Sequence, residues 1–231
     1  MLGIIGAMQV EVAALRAQMT DVEVSVVSGM EFVRGGLQGK EVVAVVCGEG
    51  KVASAVCAQT LILRYNVGAV INTGVAGTLC DELGIKDVAI ARDVVQHDMD
   101  VTALGYPLGQ VPSLDVLKIP CDPKLVSALE QAVSEAGVPH VRTGTIASGD
   151  QFLHTPERKA FIVKQFDAIA GEMEGASIGH VCHINRVPFV VLRTISDDAS
   201  GGAPTSFQTF AAEAAELACA IVTRFVALVE D

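Results

Sequence analysis

The feature that most constrains the fold is a series of apolar runs of strand length along the whole chain. They are rich in Val and Ile and nearly continuous, as in strands covered on both faces of a sheet. Segments with helical periodicity separate most of them. The seven runs are LGIIGA (2–7), EVVAVVC (41–47), GAVINTG (68–74), DVAIARDVV (87–95), TGTIASG (143–149), DAIAGE (167–172) and VPFVVLRTIS (187–196).

Helix starts and turns can also be read from the sequence. Asp122-Pro123 and Thr155-Pro156 each place a capping residue before a proline at the first helical position. The segment SVVSGMEFVRGGLQGKEVVAVV (25–46) predicts an antiparallel meander with turns at Ser28-Gly29 and Gln38-Gly39. Strands that alternate with helices predict an α/β fold: a three-layer αβα sandwich with a central mixed sheet, in one domain over residues 1–231.

Composition excludes several classes of function. The net charge is −11, and Lys and Arg form no stripe, which disfavours nucleic acids and anionic membranes as partners. We expect no signal peptide and no membrane-spanning segment. Six cysteines without a CxxC pair indicate reduced thiols and a cytoplasmic protein. His180 and His183 have helical spacing but no third ligand nearby, so no metal site is expected.

A glycine-rich loop resembles two phosphate-binding motifs and satisfies neither. CGEGKVAS (47–54) has the short dinucleotide pattern, Gly48 and Gly50 followed by Ala53, but the next strand ends without the acidic residue that should hold a ribose. As a Walker A loop it fails because Val45 stands where the first glycine should be. No nucleotide cofactor is predicted.

Carboxylates at strand and helix ends are the clearest chemical signal. Glu11 lies in the first turn of the first predicted helix, and Asp197 follows a strand that contains Arg193. Glu172 and Glu174 also follow a strand, and if the backbone there stays extended only one of them faces a pocket. Such a set suits acid–base cleavage of a glycosidic bond. A helix-dipole partner for Glu11 and a turn cap for Asp197 remain structural alternatives.

Residues 97–113 form an irregular stretch too long for a simple connection, which makes it a candidate binding loop. Together with six other segments it carries a resemblance that spans essentially the whole chain. The chain resembles the 5′-methylthioadenosine/S-adenosylhomocysteine nucleosidases of the nucleoside phosphorylase-like superfamily. The segments are GIIGAMQVEV, GKVASAVCAQTLI, VINTGVAG, HDMDVTALGYPLGQVP, ASGDQF, GEMEGASIGHVCH and VPFVVLRTISDDA.

The resemblance implies a hydrolase that cleaves the N-glycosidic bond between adenine and a 5′-thio-substituted ribose. Its expected substrates are small nucleosides, namely 5′-methylthioadenosine, S-adenosylhomocysteine and also 5′-deoxyadenosine. The expected roles are methionine salvage and removal of a methyltransferase by-product. A homodimer without metal or cofactor is implied.

The resemblance also implies roles for individual residues. Glu11 matches the general base that activates water, and Asp197 matches the acid that protonates adenine N7. For that role Asp197 needs a proton near neutral pH, so we expect a pocket that raises its pKa by desolvation. Glu174 matches the carboxylate that holds the ribose 2′- and 3′-hydroxyls. Met173 then packs under the sugar, and Glu172 is structural.

The other matched residues bind the rest of the substrate or support the catalytic groups. Phe152 matches the ring that stacks on adenine, and the backbone of Leu153 reads the base edge. Arg193 and Ser196 match residues that support the water site and Asp197. The residues that match the apolar 5′-thio pocket are Met8, Val101, Leu104, Tyr106, Pro112 and Phe207.

Two residues depart from the family pattern, and two other functions compete. Val75 replaces a residue that is usually serine, and Glu49 stands where the family has an apolar residue of the 5′ pocket. A phosphate-dependent nucleoside phosphorylase is one rival, but Glu11 would repel the phosphate dianion, and Asn72 occupies a neighbourhood where arginine is expected. A non-catalytic nucleoside-binding protein is the other, and it predicts loss of Glu11 or Asp197.

Overall fold

The computed structural model describes residues 1–197 and 203–229, apart from the side chains of residues 203–206 and 208. It is an α/β structure with one mixed sheet, which confirms the predicted fold class. The strands are β1 (Leu2–Gly6), β2 (Thr20–Val27), β3 (Met30–Leu37), β4 (Lys40–Val46), β5 (Ala69–Thr78), β6 (Val88–Gln96), β7 (Ile119–Pro120), β8 (Val141–Ser148), β9 (Ala168–Glu172) and β10 (Phe189–Asp197). The helices are α1 (Gln9–Arg16), α2 (Lys51–Tyr65), α3 (Pro123–Glu135), α4 (Pro156–Phe166), α5 (Gly175–Asn185) and α6 (Ala203–Leu228), with a 3₁₀ turn at Thr102–Leu104.

The sheet runs in the order β10-β6-β8-β9-β5-β1-β4-β3-β2, with β7 paired to β6. An additional parallel pairing of β10 with β5 joins strands β5, β10, β6, β8 and β9 into a closed ring. The sheet is mixed because β1, β4 and β5 are parallel, whereas the β2-β3-β4 meander is antiparallel. Within this ring β5 and β10 are parallel to each other, and both run antiparallel to their other neighbours, β9 and β6.

Apolar side chains on the two faces of the sheet form separate cores, as expected for a three-layer fold. Ile5 of β1 packs in a cluster with residues of α2 and α5. Its neighbours Leu2 and Ile4 pack in a second cluster with residues of α1, α3 and α6. Consecutive side chains of one strand therefore serve opposite layers.

Local signals placed the helix starts and the meander correctly. Asp122 Oδ1 accepts hydrogen bonds from the amides of Lys124 and Leu125 at 2.9 and 3.1 Å, and Pro123 opens α3. Ser28-Gly29 and Gln38-Gly39 have positive φ at both residues, as two-residue hairpin turns require. Within the described ranges, no helix is both long enough and apolar enough to cross a membrane.

Candidate active site

A cavity of about 250 Å³ opens at the rim where β1, β5, β9 and β10 end. Larger cavities exist elsewhere, but within the described residues the predicted carboxylates Glu11, Glu172, Glu174 and Asp197 all lie on the wall of this one. Its wall is formed by Ala7, Met8, Glu11, Glu49, Val75, Ala76, Gly77, Gln151, Phe152, Leu153, Gly171, Glu172, Met173, Glu174, Ser196, Asp197 and Phe207.

Glu11 faces this cavity and not bulk solvent. It is the third residue of α1 and only 3% exposed, so it is not a solvated partner of the helix dipole. Its Oε2 accepts hydrogen bonds from the amides of Ala7 at 2.7 Å and Met8 at 2.9 Å, and its Oε1 accepts one from the amide of Val75 at 3.0 Å. Burial raises the pKa of Glu11, and the Arg193 charge and these amides only partly oppose the shift.

Glu172 and Glu174 both line the cavity, so the expectation that only one of them faces it was wrong. The backbone does not stay extended: Glu172 ends β9, and Glu174 is already the N-cap of α5, with φ −131° and ψ −39°. Strand alternation therefore stops between them. Glu174 Oε1 accepts the amide of Gly50 at 2.8 Å, which joins the glycine-rich loop to the site.

The two glutamates have opposite electrostatic environments. Burial would raise the pKa of Glu172, but the Arg193 guanidinium, the Ser148 hydroxyl and the amides of Gly175 and Glu174 outweigh burial and lower it. Burial and then the Glu172 charge raise the pKa of Glu174 to about 7, against an opposing effect of Arg193. Glu172 is thus held as a carboxylate by protein donors, while Glu174 titrates near neutral pH.

Arg193 lies behind the cavity wall and is 1% exposed. Its Nη2 donates to Glu172 Oε2 and to Asn72 Oδ1, the latter at 2.6 Å, and lies 3.7 Å from Glu174 Oε2. The guanidinium supports the glutamates from within the protein and is not itself part of the cavity wall.

Asp197 ends β10 next to a cation that the sequence did not reveal. Its Oδ1 accepts a hydrogen bond from Ser196 Oγ at 3.2 Å, and its Oδ2 lies 3.5 Å from Lys159 Nζ. Asp197 and Lys159 are each only 3% exposed. Lys159 projects from α4. Its neighbours in the segment PERKAF include charged residues, as on a solvent-exposed helix face, so the local sequence does not predict that Lys159 is buried.

Two glycines of β5 leave the space that the carboxylates of Glu11 and Asp197 occupy. A Cβ at Gly74 would stand 2.6 Å from Glu11 Oε1, and one at Gly77 would stand 2.6 Å from Asp197 Oδ2. Both distances are shorter than side-chain contacts allow. Gly74 and Gly77 are therefore required by the close approach of Glu11 and Asp197.

The predicted apolar residues divide into two groups. Met8, Phe152, Leu153, Met173 and Phe207 line the cavity. Phe152 is 44% exposed, and its ring meets that of Phe207 edge-on, with centroids 5.8 Å apart.

The other four predicted residues of the 5′ pocket, Val101, Leu104, Tyr106 and Pro112, are not on the wall of this cavity. They belong to the irregular segment after β6, where Leu104 is 74% and Tyr106 41% exposed. Within a single chain, the structure does not bring this loop to the site.

Both departures from the family pattern lie on the cavity wall. Val75 contributes its amide to Glu11, a contact that does not depend on its side chain. Glu49 lines the cavity and is exposed. In the part of the chain that the structure describes, no three His, Cys, Asp or Glu side chains group as metal ligands.

Comparison with known proteins identifies the family. The model of the phosphorylase superfamily matches residues 1–227. A 5′-methylthioadenosine/S-adenosylhomocysteine nucleosidase of Shewanella loihica is 44% identical over 214 residues, which cover 92% of this chain and 93% of that protein. The chain belongs to this nucleosidase family within the phosphorylase superfamily.

Solved structures of the nucleosidase family agree with this assignment. The nucleosidase of Neisseria meningitidis, solved in complex with methylthio-immucillin-A, has a TM-score of 0.96 and 38% identity and covers 99% of both chains. The futalosine hydrolase of Helicobacter pylori has a TM-score of 0.93 and 37% identity, covering 97% of this chain and 96% of that one. These two proteins therefore share one fold although they are named for different activities.

Proposed function

We propose that this protein hydrolyses the N-glycosidic bond of 5′-methylthioadenosine and S-adenosylhomocysteine, releasing adenine and the 5-thio-substituted ribose. The observation that carries the proposal is the pair of buried carboxylates, Glu11 and Asp197, on the wall of one cavity. Membership of the nucleosidase family supports it. 5′-Deoxyadenosine is a further expected substrate.

Glu11 acts as the general base. Three backbone amides fix its carboxylate, and burial raises its pKa, so it is a better proton acceptor than an ordinary glutamate. A water molecule held by Glu11 would attack the anomeric carbon as the glycosidic bond breaks. The positive charge that develops on the ribose is stabilised by this carboxylate and by Glu174.

Asp197 acts as the acid at the other end of the bond. It gives a proton to N7 as negative charge develops on the departing base. Lys159, 3.5 Å away, then stabilises the carboxylate that remains, and the Ser196 hydroxyl orients it. Phe152, half-exposed at the mouth of the cavity, stacks on adenine, and the backbone of Leu153 reads the base edge.

Glu174 binds the ribose hydroxyls. Its Oε1 already accepts a hydrogen bond from the Gly50 amide, which fixes the carboxylate on the cavity wall. Met173 packs under the sugar, and Arg193 together with Glu172 holds this side of the site in place. Met8 and Phe207 contribute the apolar surface for the 5′-thio group.

The charge of the site disfavours phosphorolysis. The cavity wall carries five carboxylates, and none of its described residues is Lys, Arg or His. Arg193 is already engaged by Glu172 and Asn72. A phosphate dianion beside Glu11 would meet strong repulsion in a buried site. A non-catalytic binding protein is disfavoured because both Glu11 and Asp197 are present and buried.

A homodimer accounts for the loop that stays away from its own site. Leu104 and Tyr106 expose apolar surface, and the loop base is tied to α2 by an ion pair of Lys51 with Asp98 at 2.7 Å. α2 itself exposes Val52 and Leu63, at 77% and 74%. In the proposed dimer, Val101, Leu104, Tyr106 and Pro112 of one protomer complete the 5′ pocket of its partner.

The six free cysteines fit a reducing compartment such as the cytoplasm.

Substitution of the two carboxylates tests the proposal. We expect Glu11→Gln and Asp197→Asn each to lower kcat/KM for adenine release from methylthioadenosine about 10²- to 10⁴-fold, because each removes a proton-transfer group. The exposed Glu23→Gln and Asp81→Asn serve as matched controls that keep wild-type rates. Circular dichroism checks the fold. Retention of activity within tenfold in either cavity variant would refute the assigned roles.

A further inference from the structure

Glu49 stands on a rigid part of the cavity wall. The amides of Cys47 and Gly48 donate to the carbonyls of Gly6 and Ala7 at 2.9 and 3.1 Å, which ties this loop to the β1–α1 turn. Gly48 and Gly50 on either side of Glu49 have φ of +82° and +93°, a conformation that suits glycine. The position of Glu49 is therefore set by the backbone.

The order of strands places Glu49 at the end of the cavity away from the base. Phe152 and Leu153 follow β8, and Asp197 ends β10, all within the closed ring. Glu49 follows β4, which lies beyond β1 on the other side of β5. Glu174, whose carboxylate meets the Gly50 amide, lies between these two ends. A nucleoside with its base at Phe152 and its ribose at Glu174 directs its 5′ substituent toward Glu49.

Glu49 is also the wall carboxylate without a partner. Glu11 and Glu174 accept hydrogen bonds from backbone amides. Glu172 forms an ion pair with Arg193, and Asp197 forms one with Lys159. The Glu49 side chain is exposed and has no hydrogen bond or ion pair to the part of the chain that the structure describes. Among the described residues of the surrounding wall there is no Lys, Arg or His that would neutralise it.

We propose that Glu49 selects nucleosides whose 5′-thio substituent carries an ammonium group beyond the sulfur. This inference rests on the proposed function and names the substrate class that the site prefers. An ammonium beyond the sulfur forms an ion pair with Glu49, whereas a bare methyl group leaves the carboxylate partly desolvated and unpaired. S-adenosylhomocysteine carries such an ammonium, and because its 5′ substituent also carries a carboxylate, only the ammonium is expected to pair with Glu49. A 5′ substituent that carries an anion and no ammonium is rejected.

The test compares substrates that differ only in charge at the 5′ end. Adenine release is measured for 5′-(3-aminopropylthio)adenosine, its neutral 3-hydroxypropylthio isostere and an anionic 2-carboxyethylthio analogue. The proteins are the wild type, Glu49→Gln and the remote control Glu23→Gln. We expect the amino-to-hydroxyl ratio of kcat/KM to fall about fivefold in Glu49→Gln and to stay at the wild-type value in Glu23→Gln. The preference of the wild type should also weaken as NaCl rises from about 50 to about 500 mM.

The outcomes separate this proposal from the one it rests on. An unchanged ratio in Glu49→Gln, or a wild type that prefers the anionic analogue, would overturn the role of Glu49 even if adenine is released. If no substrate yields adenine, the hydrolase assignment fails, and calorimetric Kd values for the same three ligands then test Glu49. A fivefold shift in the ratio of Kd values would support the role, and an equal ratio would overturn it.

Discussion

At the scale of single residues, one buried arginine serves two carboxylates in different ways. Arg193 donates directly to Glu172, whose pKa falls below its ordinary value despite burial. Glu174 lies 3.7 Å from the same guanidinium, so the attraction is weaker and burial prevails. The same guanidinium thus accompanies a lowered pKa at Glu172 and a raised pKa at Glu174.

The raised pKa of Glu174 predicts how stability depends on pH. Its folded pKa of about 7 exceeds the ordinary value of 4.5, so the folded protein binds the proton more tightly than the unfolded chain. The contribution of Glu174 to the free energy of unfolding is therefore full below pH 4.5 and is lost as pH rises toward about 7. The loss is on the order of 3 kcal/mol at most.

Urea unfolding of the wild type and of Glu174→Gln at pH 4.5, 6 and 8 measures this contribution. We expect the wild type to lose stability relative to the glutamine variant across this range, because glutamine does not titrate. Parallel curves for the two proteins would show that Glu174 is not held in the environment described.

Sequence reasoning found some residues of the site and missed others for identifiable reasons. Glu11 and Asp197 stood out because a charge at the edge of an apolar element is unusual, and the family resemblance gave them roles. Lys159 was missed because its ion pair with Asp197 joins α4 to the end of β10, a contact between segments distant in the sequence. The pair Glu172 and Glu174 was misjudged because the strand-to-helix transition falls between them.

At the scale of elements, β5 organises the site. It pairs with β1, β9 and β10, and the amide of Val75 reaches Glu11. It runs to Thr78, four residues beyond the predicted end, because its last residues pair with β9 and β10. The caps and hairpin turns were predictable because they depend on neighbouring residues. Closure of the ring could not be predicted from the sequence, because pairing of β5 with β10 joins segments more than 100 residues apart.

A methyl group on β5 should damage the site without unfolding the protein. In Gly74→Ala the new Cβ would stand 2.6 Å from Glu11 Oε1 and must displace it. We expect kcat/KM to fall at least about 100-fold, since a displacement near 1 Å has that effect on catalytic geometry. Gly68→Ala is the matched control, because a Cβ there meets nothing closer than 4.0 Å. Equal activity in both variants would contradict the assigned position of Glu11.

At the scale of the whole molecule, the proposed homodimer would cover the exposed apolar residues of α2 and of the 101–112 loop. Single exposed apolar residues are common, but several that share a face indicate an interface. Val52, Val56 and Leu63 lie along α2, and Ile184 on α5 is 58% exposed. The hydrogen bonds between Gln59 and Asn185 hold these two helices side by side.

The proposed homodimer predicts linked losses of assembly and activity. A chain of 24.1 kDa should sediment as a dimer near twice that mass. Leu63→Asp is expected to give monomers and to lower the rate with methylthioadenosine, since the 5′ pocket would lack the partner's loop. Val24→Asp, on the exposed face of the edge strand β2, is the matched control and should remain dimeric. A wild-type monomer with full activity would exclude the dimer.

The identity of the sugar released from 5′-methylthioadenosine, in the presence and absence of phosphate, distinguishes hydrolysis from phosphorolysis. Water activated by Glu11 should give free 5-methylthioribose and adenine at the same rate in both conditions, as mass spectrometry of early time points would show. A product that carries phosphate on its anomeric carbon, or adenine release that requires phosphate, would contradict hydrolysis and assign the cavity to phosphorolysis instead.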